Sequence, residues 1–424
     1  MSELQYLRIK LLKKILSNKL VENWLSLFSL RMLTLVLPLL TYPYLIKTLG
    51  TEQYGLVMWV WSITNLFIFV TKFGFDTTIT KRIAICKNSK DELNKLITNT
   101  YFAKILLLTL VVFIYAVLVF YIPKFEEHKV LFFYFLLLPL GDVLFPVWYF
   151  QGTEKMKYTG IITSLVKISF TALVFILIDS ADDVVKVPLL YSFASVLSGV
   201  IAIYIVFVKD DNKFTNIDFR FIFFLLKDSF SIFLSNSVLT LKDSIMIILV
   251  EKYADLNIVA YLDIVQKFVN ILITPFHILS SVIYPRMSVT RNLTMYYRVL
   301  IYSNLLASAL CGIVLYSSDL IFTILHISND VPVVFFYIMV ISVIFMNTSN
   351  LLGLNGLIVF GQNSKFLISS VVPVAIFFFF CFLLIYEKKF NLEYIAYASI
   401  ASVLVELFIR LSFLLPVIKN RVKI

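Results

Sequence analysis

Long apolar stretches separated by short polar segments follow one another along the whole chain. A helix needs about 20 apolar residues to cross the hydrocarbon core of a bilayer, and each stretch reaches that length. The pattern therefore predicts an all-α membrane protein with about twelve transmembrane helices. The predicted spans are 24–48, 54–75, 99–122, 130–150, 159–179, 186–208, 221–250, 256–284, 299–324, 331–353, 366–386 and 391–417.

The composition agrees with a chain that crosses a membrane many times. Its 424 residues are 60% hydrophobic, with a mean hydropathy of +0.92, whereas soluble domains are about 45–50% apolar. The longest connections between predicted spans are Lys81–Asn99 and Lys209–Arg220. Neither connection is long enough to form a separate soluble domain.

Positive charges are distributed unevenly between the two sides of the predicted bundle. If both termini are cytoplasmic, the cytoplasmic segments hold 22 Lys and Arg. The opposite side holds only 7, which are Lys47, Lys124, Lys129, Lys186, Lys252, Lys388 and Lys389. Because cytoplasmic loops carry the excess of Lys and Arg, we expect both termini in the cytoplasm. The same bias explains most of the net charge of +11 without a nucleic-acid partner.

A weak internal similarity appears when the chain is shifted by 204 positions. Arg82 then falls on Arg286, and 56–75 falls on 260–279. Parallel repeats of six spans are common in transporters, with the substrate site between the halves. We therefore expect an N-terminal six-helix bundle at 24–208 and a C-terminal six-helix bundle at 221–418 around a central cavity, joined by a cytoplasmic linker at 209–220.

The two termini of the chain and its cysteines give no sign of a catalytic or metal site. Residues 1–23 are basic and amphipathic without an apolar core, which predicts a cytoplasmic interfacial segment and not a signal peptide. Residues 419–424 are expected to be a cytoplasmic tail. The three cysteines show neither disulfide nor metal-site spacing. They are Cys86, Cys311 and Cys381.

Basic residues lie inside stretches that are otherwise hydrocarbon. Arg31, Lys167, Lys242 and Lys267 lie deep in the first, fifth, seventh and eighth spans, and Lys72 lies in the second. A cation at this depth costs roughly 2.5–3.5 kcal/mol on insertion scales, so it rarely lacks a partner or a function. Several of them on different spans predict a polar cavity that receives an anionic ligand.

Polar residues also recur at helical spacing within single spans. In the eighth span they predict one polar face, made of Asp263, Gln266, Lys267, Asn270, Thr274 and His277. Three pairs are four residues apart and are able to neutralise each other within a helix. They are Asp263–Lys267, Lys72–Asp76 and Glu406–Arg410, of which we interpret the last as structural. Arg31 and Lys167 have no acidic residue within two turns of their own span, which favours a place in the cavity.

Motifs of common enzyme classes are missing from the sequence. It contains no GxxxxGK[ST], no HExxH and no GxSxG, so we expect neither an ATPase nor a hydrolase site of these types. The chain is predicted to be a non-enzyme that needs no cofactor and holds no metal.

Five segments resemble a known family. They are PLLTYPYLIKTLGTEQYGL and KFGFDTTITKRIA within 31–84, WYFQGTEKMKY at 148–158, VIYPRM at the end of 263–287, and GLNGLIVFGQ at 353–362. Together these segments resemble the O-antigen and related polysaccharide flippases of the multidrug/oligosaccharidyl-lipid/polysaccharide flippase superfamily. The matches extend over nearly the whole chain and occur in the expected order.

The resemblance implies two six-helix bundles in a V around a central cavity lined by helices one, two, seven and eight. It implies a bacterial inner-membrane protein whose partners are membrane lipid, an undecaprenyl-pyrophosphate-linked oligosaccharide and other polysaccharide assembly proteins. The substrate-binding candidates are Arg31, Lys72, Lys167, Lys242 and Lys267. Acidic candidates for substrate release or for ion or proton coupling are Asp76, Asp142, Asp243 and Asp263.

The sequence leaves three alternatives open. A drug or cation antiporter of the same superfamily should have an acidic cavity, whereas the deep charges here are mixed with a basic excess. A membrane polysaccharide polymerase typically needs a large periplasmic loop with catalytic residues, and the predicted outer loops are short. A scaffold protein would not explain basic residues in the middle of the membrane.

Overall fold

The computed structural model describes residues 37, 40–324 and 333–422, and within these every long element is a helix. Arg31 lies outside the described residues. In chain order the helices are α1 (40–49), α2 (Thr51–Lys72), α3 (Phe75–Cys86), α4 (Lys90–Tyr121), α5 (Pro123–Glu127), α6 (Lys129–Phe135), α7 (Leu137–Leu144), α8 (Val147–Gly152), α9 (Met156–Leu177), α10 (Lys186–Tyr204), α11 (Phe219–Tyr253), α12 (Leu256–Thr290), α13 (Leu293–Tyr316), α14 (Ser318–Ile324), α15 (Val333–Asn350), α16 (Asn363–Tyr386) and α17 (Leu392–Val422).

The predicted all-α membrane fold is confirmed. Among the described residues, ten helical segments are long and apolar enough to cross a membrane. Helices α1 and α11 occupy the places of the first and seventh predicted spans, and the 35 residues of α11 extend over about 52 Å. Below, the inner side is the side of the predicted cytoplasmic loops, and the outer side is the opposite one.

The second span differs from the prediction because two helices build it. Phe73 and Gly74 adopt left-handed φ angles of 41° and 74°, which end α2 and start α3. At Gly74 a side chain would also be crowded, since an added Cβ would lie 3.0 Å from the backbone nitrogen of Phe233. The span therefore continues to Cys86, whereas the apolar pattern predicted its end near residue 75.

The two halves share one apolar core on the outer side. Trp59 and Phe132 of the N-terminal half belong to the same buried cluster as Val250, Val265 and Phe335 of the C-terminal half. Gly55 allows this contact, because a Cβ there would lie 1.9 Å from the carbonyl oxygen of Leu256. Helix α2 therefore packs tightly against the outer end of α12.

On the inner side the cores are separate. Phe75, Ile97 and Trp148 form an N-terminal cluster, and Met287 and Leu414 belong to another cluster in the C-terminal half. The described halves thus share one core at the outer side, whereas at the inner side α11 alone of the C-terminal helices joins the N-terminal core, through Ile222 and Leu225, and Arg82 pairs with Asp228. This is the arrangement expected for a V whose cavity is closed outward.

The segment between the halves is bound along α4. The backbone N–H groups of Lys213, Thr215 and Asp218 donate hydrogen bonds to the side chains of Asn94, Thr98 and Asn99 at 2.8–3.0 Å. These bonds satisfy amides that are not part of a helix. The amide of Phe221 and the ammonium of Lys95 lower the pKa of the Asp218 carboxyl below its usual range. Ile222 and Leu225, at the start of α11, then pack in the N-terminal inner core.

The close approach at Gly55 yields a prediction. Gly55→Ala should lower the free energy of unfolding by roughly 1–3 kcal/mol, because overpacking forces α2 and α12 apart. Gly312→Ala is the matched control, since nothing lies within 4 Å of an added Cβ there. Thermal unfolding of both purified variants in detergent measures the difference. Equal melting temperatures for the two variants would contradict the close packing.

Candidate functional site

Three of the predicted cations lie at one depth. Lys167, Lys242 and Lys267 are ten or eleven residues from the outer ends of α9, α11 and α12, respectively. At a rise of 1.5 Å per residue they lie roughly 15–17 Å from those ends. That is the middle of a hydrocarbon core about 30 Å thick. The structure therefore places three basic side chains from both halves at nearly the same distance from the outer ends of their helices.

Lys167 and Lys267 line a cavity in the N-terminal half with a volume of ≈ 160 Å³. Aromatic side chains form much of its wall, including Tyr42, Trp61 and Tyr191. The full lining is Leu37, Thr41, Tyr42, Leu45, Val57, Met58, Trp61, Phe135, Lys167, Phe170, Thr171, Val187, Tyr191 and Lys267. Its charged lining residues are both cationic, which suits an anionic ligand. We call it the N-cavity.

Lys267 belongs to a polar group that crosses between the halves. Its Nζ lies 2.6 Å from Oδ2 of Asp263, which is 2% exposed. The hydroxyl of Tyr54, on α2, donates to the same carboxylate at 2.7 Å. Lys267 also contacts Met58 Sδ at 3.3 Å and lies 3.8 Å from the centre of the Tyr42 ring. The predicted Asp263–Lys267 pair is confirmed, and Tyr54 ties it to the other half.

A second cavity, of ≈ 90 Å³, lies in the C-terminal half. Lys242 and Asp243 line it together with Gln266 and Asn270. The Lys242 ammonium lies 4.4 Å from the centre of the Phe377 ring, an arrangement in which the ring face attracts the cation. We call this the C-cavity.

The two cavities correct the prediction of one polar face on α12. Lys267 lines the N-cavity, whereas Gln266 and Asn270 line the C-cavity. Helix α12 therefore lies between the cavities and presents Lys267 to one and Gln266 and Asn270 to the other. The single stripe read from the sequence is wrong in this respect.

A third charged group lies in the N-terminal half. The sequence predicted its Asp142 but not its Lys104. Lys104 is 2% exposed, and its Nζ donates to the backbone oxygen and Oδ2 of Asp142 at 3.0 and 3.2 Å. Thr71 donates to the same carboxylate at 3.1 Å. Lys104 interrupts an apolar run in the third span, so the signal that identified the other cations would have found it.

The predicted Lys72–Asp76 pair is wrong. The left-handed break at Phe73 and Gly74 removes the helical spacing on which it depended. Lys72 instead forms a salt bridge with Asp142 at 3.9 Å, and its side chain is 47% exposed. Asp76 remains within the electrostatic field of Lys104 and Lys72. These two lysines and two aspartates form one charge group around Asp142.

Two further pairs lie at the ends of the bundle. On the outer side Lys124 of α5 pairs with Glu251 of α11, and Lys124 also lies over the Trp59 ring. Near the inner side Arg410 pairs with Glu406 at 2.7 Å and donates to the backbone oxygen of Ser349 at 2.7 Å. Arg410 is only 5% exposed, so the structural interpretation of Glu406–Arg410 is confirmed.

Comparisons with known proteins place this arrangement in a family. Residues 20–291 match the family described as "Polysaccharide biosynthesis protein". The chain is also 28% identical, over 255 residues, to a protein of Escherichia coli (strain K12) named "Putative O-antigen transporter". That match covers 60% of this chain and 61% of the relative, so it spans about three fifths of the relative's length.

Two solved structures share the fold. One is a lipid II flippase, MurJ, in an inward closed conformation, with a TM-score of 0.69 and 14% identity over 91% of this chain and 86% of that chain. The other is an inward-facing multidrug resistance MATE family transporter of the MOP superfamily, with a TM-score of 0.68 and 14% identity over 90% and 98% of the two chains. Both similarities concern the fold.

The Asp142 group yields a prediction about stability. Asp142→Ala should destabilise the protein by roughly 3–5 kcal/mol, because it leaves the Lys104 ammonium buried without its counter-charge. Lys72→Ala should have a much smaller effect, since that side chain is half exposed. The double variant Lys104→Met/Asp142→Leu should regain most of the loss. The melting temperatures of the purified variants in detergent measure these differences. An Asp142→Ala variant as stable as Lys72→Ala would refute the pairing of Lys104 with Asp142.

Proposed function

The chain belongs to the polysaccharide biosynthesis protein family, and from that premise we propose that it is a lipid-linked oligosaccharide flippase. Its proposed substrate is an undecaprenyl-pyrophosphate-linked oligosaccharide repeat unit for O-antigen or another surface polysaccharide. The unit would move from the cytoplasmic to the outer leaflet of the bacterial inner membrane. The observation that carries the proposal is the set of three lysines at mid-membrane depth that line two cavities.

The physical reason for such a site is the cost of taking a charged headgroup through hydrocarbon. A pyrophosphate with several sugars cannot lose its water in the lipid core, whereas a polyprenyl tail is stable there. Ammonium groups in a cavity with little water attract the pyrophosphate more strongly than they would in bulk water. The protein would thus carry the headgroup between its halves while the tail stays in the lipid.

The charges of the cavities favour an anionic substrate over an organic cation. Lys167 and Lys267 are the charged residues that line the N-cavity. Asp263, the acid nearest to it, is already bonded to Lys267 and Tyr54. The C-cavity adds one cation and one anion, Lys242 and Asp243. An antiporter for organic cations would need uncommitted acids in the N-cavity, and Lys267 occupies this one.

Alternating access would use the different packing of the two sides. In the described state the inner cores are separate and the outer core is shared, so the headgroup would enter from the cytoplasm. A pyrophosphate near Lys267 competes with Asp263 for the ammonium. Lys267 also donates to the Tyr54 hydroxyl at 3.3 Å, so its movement toward a pyrophosphate would change a contact between the halves. The halves, 24–208 and 221–418, would then rock about the linker so that the outer side opens, with both chain termini in the cytoplasm.

Substitution of the cavity lysines tests the proposal. Lys167→Gln, Lys242→Gln and Lys267→Gln should each reduce export roughly ten-fold or more, since a hydrogen bond to a charged group contributes about 1.5–3 kcal/mol. Arg31→Ala should also reduce export. The matched control is Lys157→Gln, an exposed cation on α9 that should leave export unchanged.

The measurement is the amount of lipid-linked repeat unit that accumulates in the cytoplasmic leaflet of cells lacking the wild-type chain. Each variant must be present in the membrane at the wild-type level. The double variant Asp263→Asn/Lys267→Gln should be as inactive as Lys267→Gln, because the lysine contacts substrate. Normal export by all three lysine variants, or recovery in the double variant, would refute the proposed role of these residues.

A further inference from the structure

The two cavities differ in chemistry. The charged groups that line the N-cavity are the ammonium groups of Lys167 and Lys267. The C-cavity is lined by one ammonium, Lys242, and one carboxylate, Asp243, so its net charge is zero. Its other polar groups are neutral. They are the carboxamides of Gln266 and Asn270 and the hydroxyls of Ser342 and Ser399.

Three of the polar side chains of the C-cavity are without a hydrogen-bond partner in the described part of the protein, whereas Ser342 donates to the backbone oxygen of Met339. The side chains of Asp243, Gln266 and Asn270 form no hydrogen bond and no salt bridge with any described residue. By contrast, Asp263 and Lys267 are bonded to each other on the same helix. A polar group at mid-membrane depth without a partner is costly. These three side chains are therefore available to water or to a ligand.

The available groups fit a neutral polyhydroxylated ligand. A carboxylate accepts hydrogen bonds, a carboxamide both donates and accepts, and an ammonium donates. Hydroxyl groups of a sugar both donate and accept, so they satisfy all three types. Phe335 and Phe377 belong to the apolar wall of the cavity, and the Phe377 ring already lies under the Lys242 ammonium. Ligand sites commonly combine apolar walls with a few placed polar groups in this way.

Helix α12 connects this chemistry to the anion site. Lys267 and Asn270 are three residues apart, which is a rise of about 4.5 Å along the helix, yet they line different cavities. A pyrophosphate held by Lys267 and a sugar held by Gln266 and Asn270 would therefore lie at nearly the same depth, on two sides of α12. The remaining sugars would extend beyond the small C-cavity.

We propose that the C-cavity is a sugar subsite that recognises the sugar joined directly to the pyrophosphate, through Asp243, Gln266 and Asn270. This inference rests on the proposed function. In this proposal the two halves bind different parts of the substrate. The N-cavity holds the pyrophosphate without regard to the sugar, and the C-cavity selects the sugar.

Binding of two defined probes tests the division. One probe is undecaprenyl pyrophosphate without sugar, and the other is the same lipid with a single N-acetylhexosamine on the pyrophosphate. Affinities are measured with the purified full chain in detergent. Gln266→Leu and Asn270→Leu should each weaken binding of the glycosylated probe roughly ten-fold and leave the sugar-free probe at the wild-type affinity. Asp243→Asn should show the same selectivity, and Lys267→Gln should weaken both probes.

Ser281→Ala is the matched control, because Ser281 is an exposed residue of α12 whose hydroxyl bonds to the backbone of its own helix. Equal weakening of both probes by Gln266→Leu or Asn270→Leu would overturn the sugar subsite, as would no weakening of either. Failure of the wild-type chain to bind either probe would instead contradict the proposed function itself. The two failures are thus distinguishable.

Discussion

A positive charge buried in the middle of a membrane needs a stabilising neighbour whenever no ligand is bound. The packing around the buried lysines follows from this constraint. Three of the described deep cations meet it in different ways. Lys267 is paired with Asp263, and Lys104 is paired with Asp142. Lys242 lies over the Phe377 ring beside Asp243. Because two charges taken from water remain stable only with good geometry and further hydrogen bonds, the carboxylates of Asp263 and Asp142 also accept hydrogen bonds from Tyr54 and Thr71, respectively.

The same interactions hold the two halves together at the outer side. Tyr54 bonds to Asp263 across the boundary between the halves, and Lys124 pairs with Glu251 across it near the outer surface. The absence of a side chain at Gly55 lets the backbones approach there. In the proposed mechanism an anionic headgroup that attracts Lys267 would therefore act on the contact that keeps the outer side closed. Substrate binding and opening would then be linked through one residue.

The sequence was sufficient for features that depend on local spacing. Helix length follows from the number of consecutive apolar residues, and the four-residue spacing of Asp263 and Lys267 correctly predicted an ion pair. The partnership of Tyr54 with Asp263 was not predictable, because residues 209 positions apart meet only in the folded protein. The break at Phe73 and Gly74, which redirects Lys72 to Asp142, likewise depends on the approach of α11.

The polar stripe of α12 shows why periodicity alone misassigns a site. The rows Asp263/Lys267 and Gln266/Asn270 are only about 60° apart around a helix with 3.6 residues per turn. The helical periodicity of a sequence does not separate two rows this close, so they are predicted as one face. Because α12 lies between two cavities, each row meets a different environment, and only the neighbouring helices decide which.

The central claim is that transport requires the outer contact between α2 and α12 to open. Thr51 and Asn257, whose side chains are hydrogen-bonded across this contact, are the positions to test it. Both are replaced by Cys in a chain whose Cys86, Cys311 and Cys381 are Ser, and export of lipid-linked oligosaccharide is measured after oxidation and after reduction. The account predicts that the disulfide stops export and that reduction restores it, with both single-Cys variants insensitive to oxidant. Export by the fully cross-linked protein at the rate of the reduced protein would contradict it.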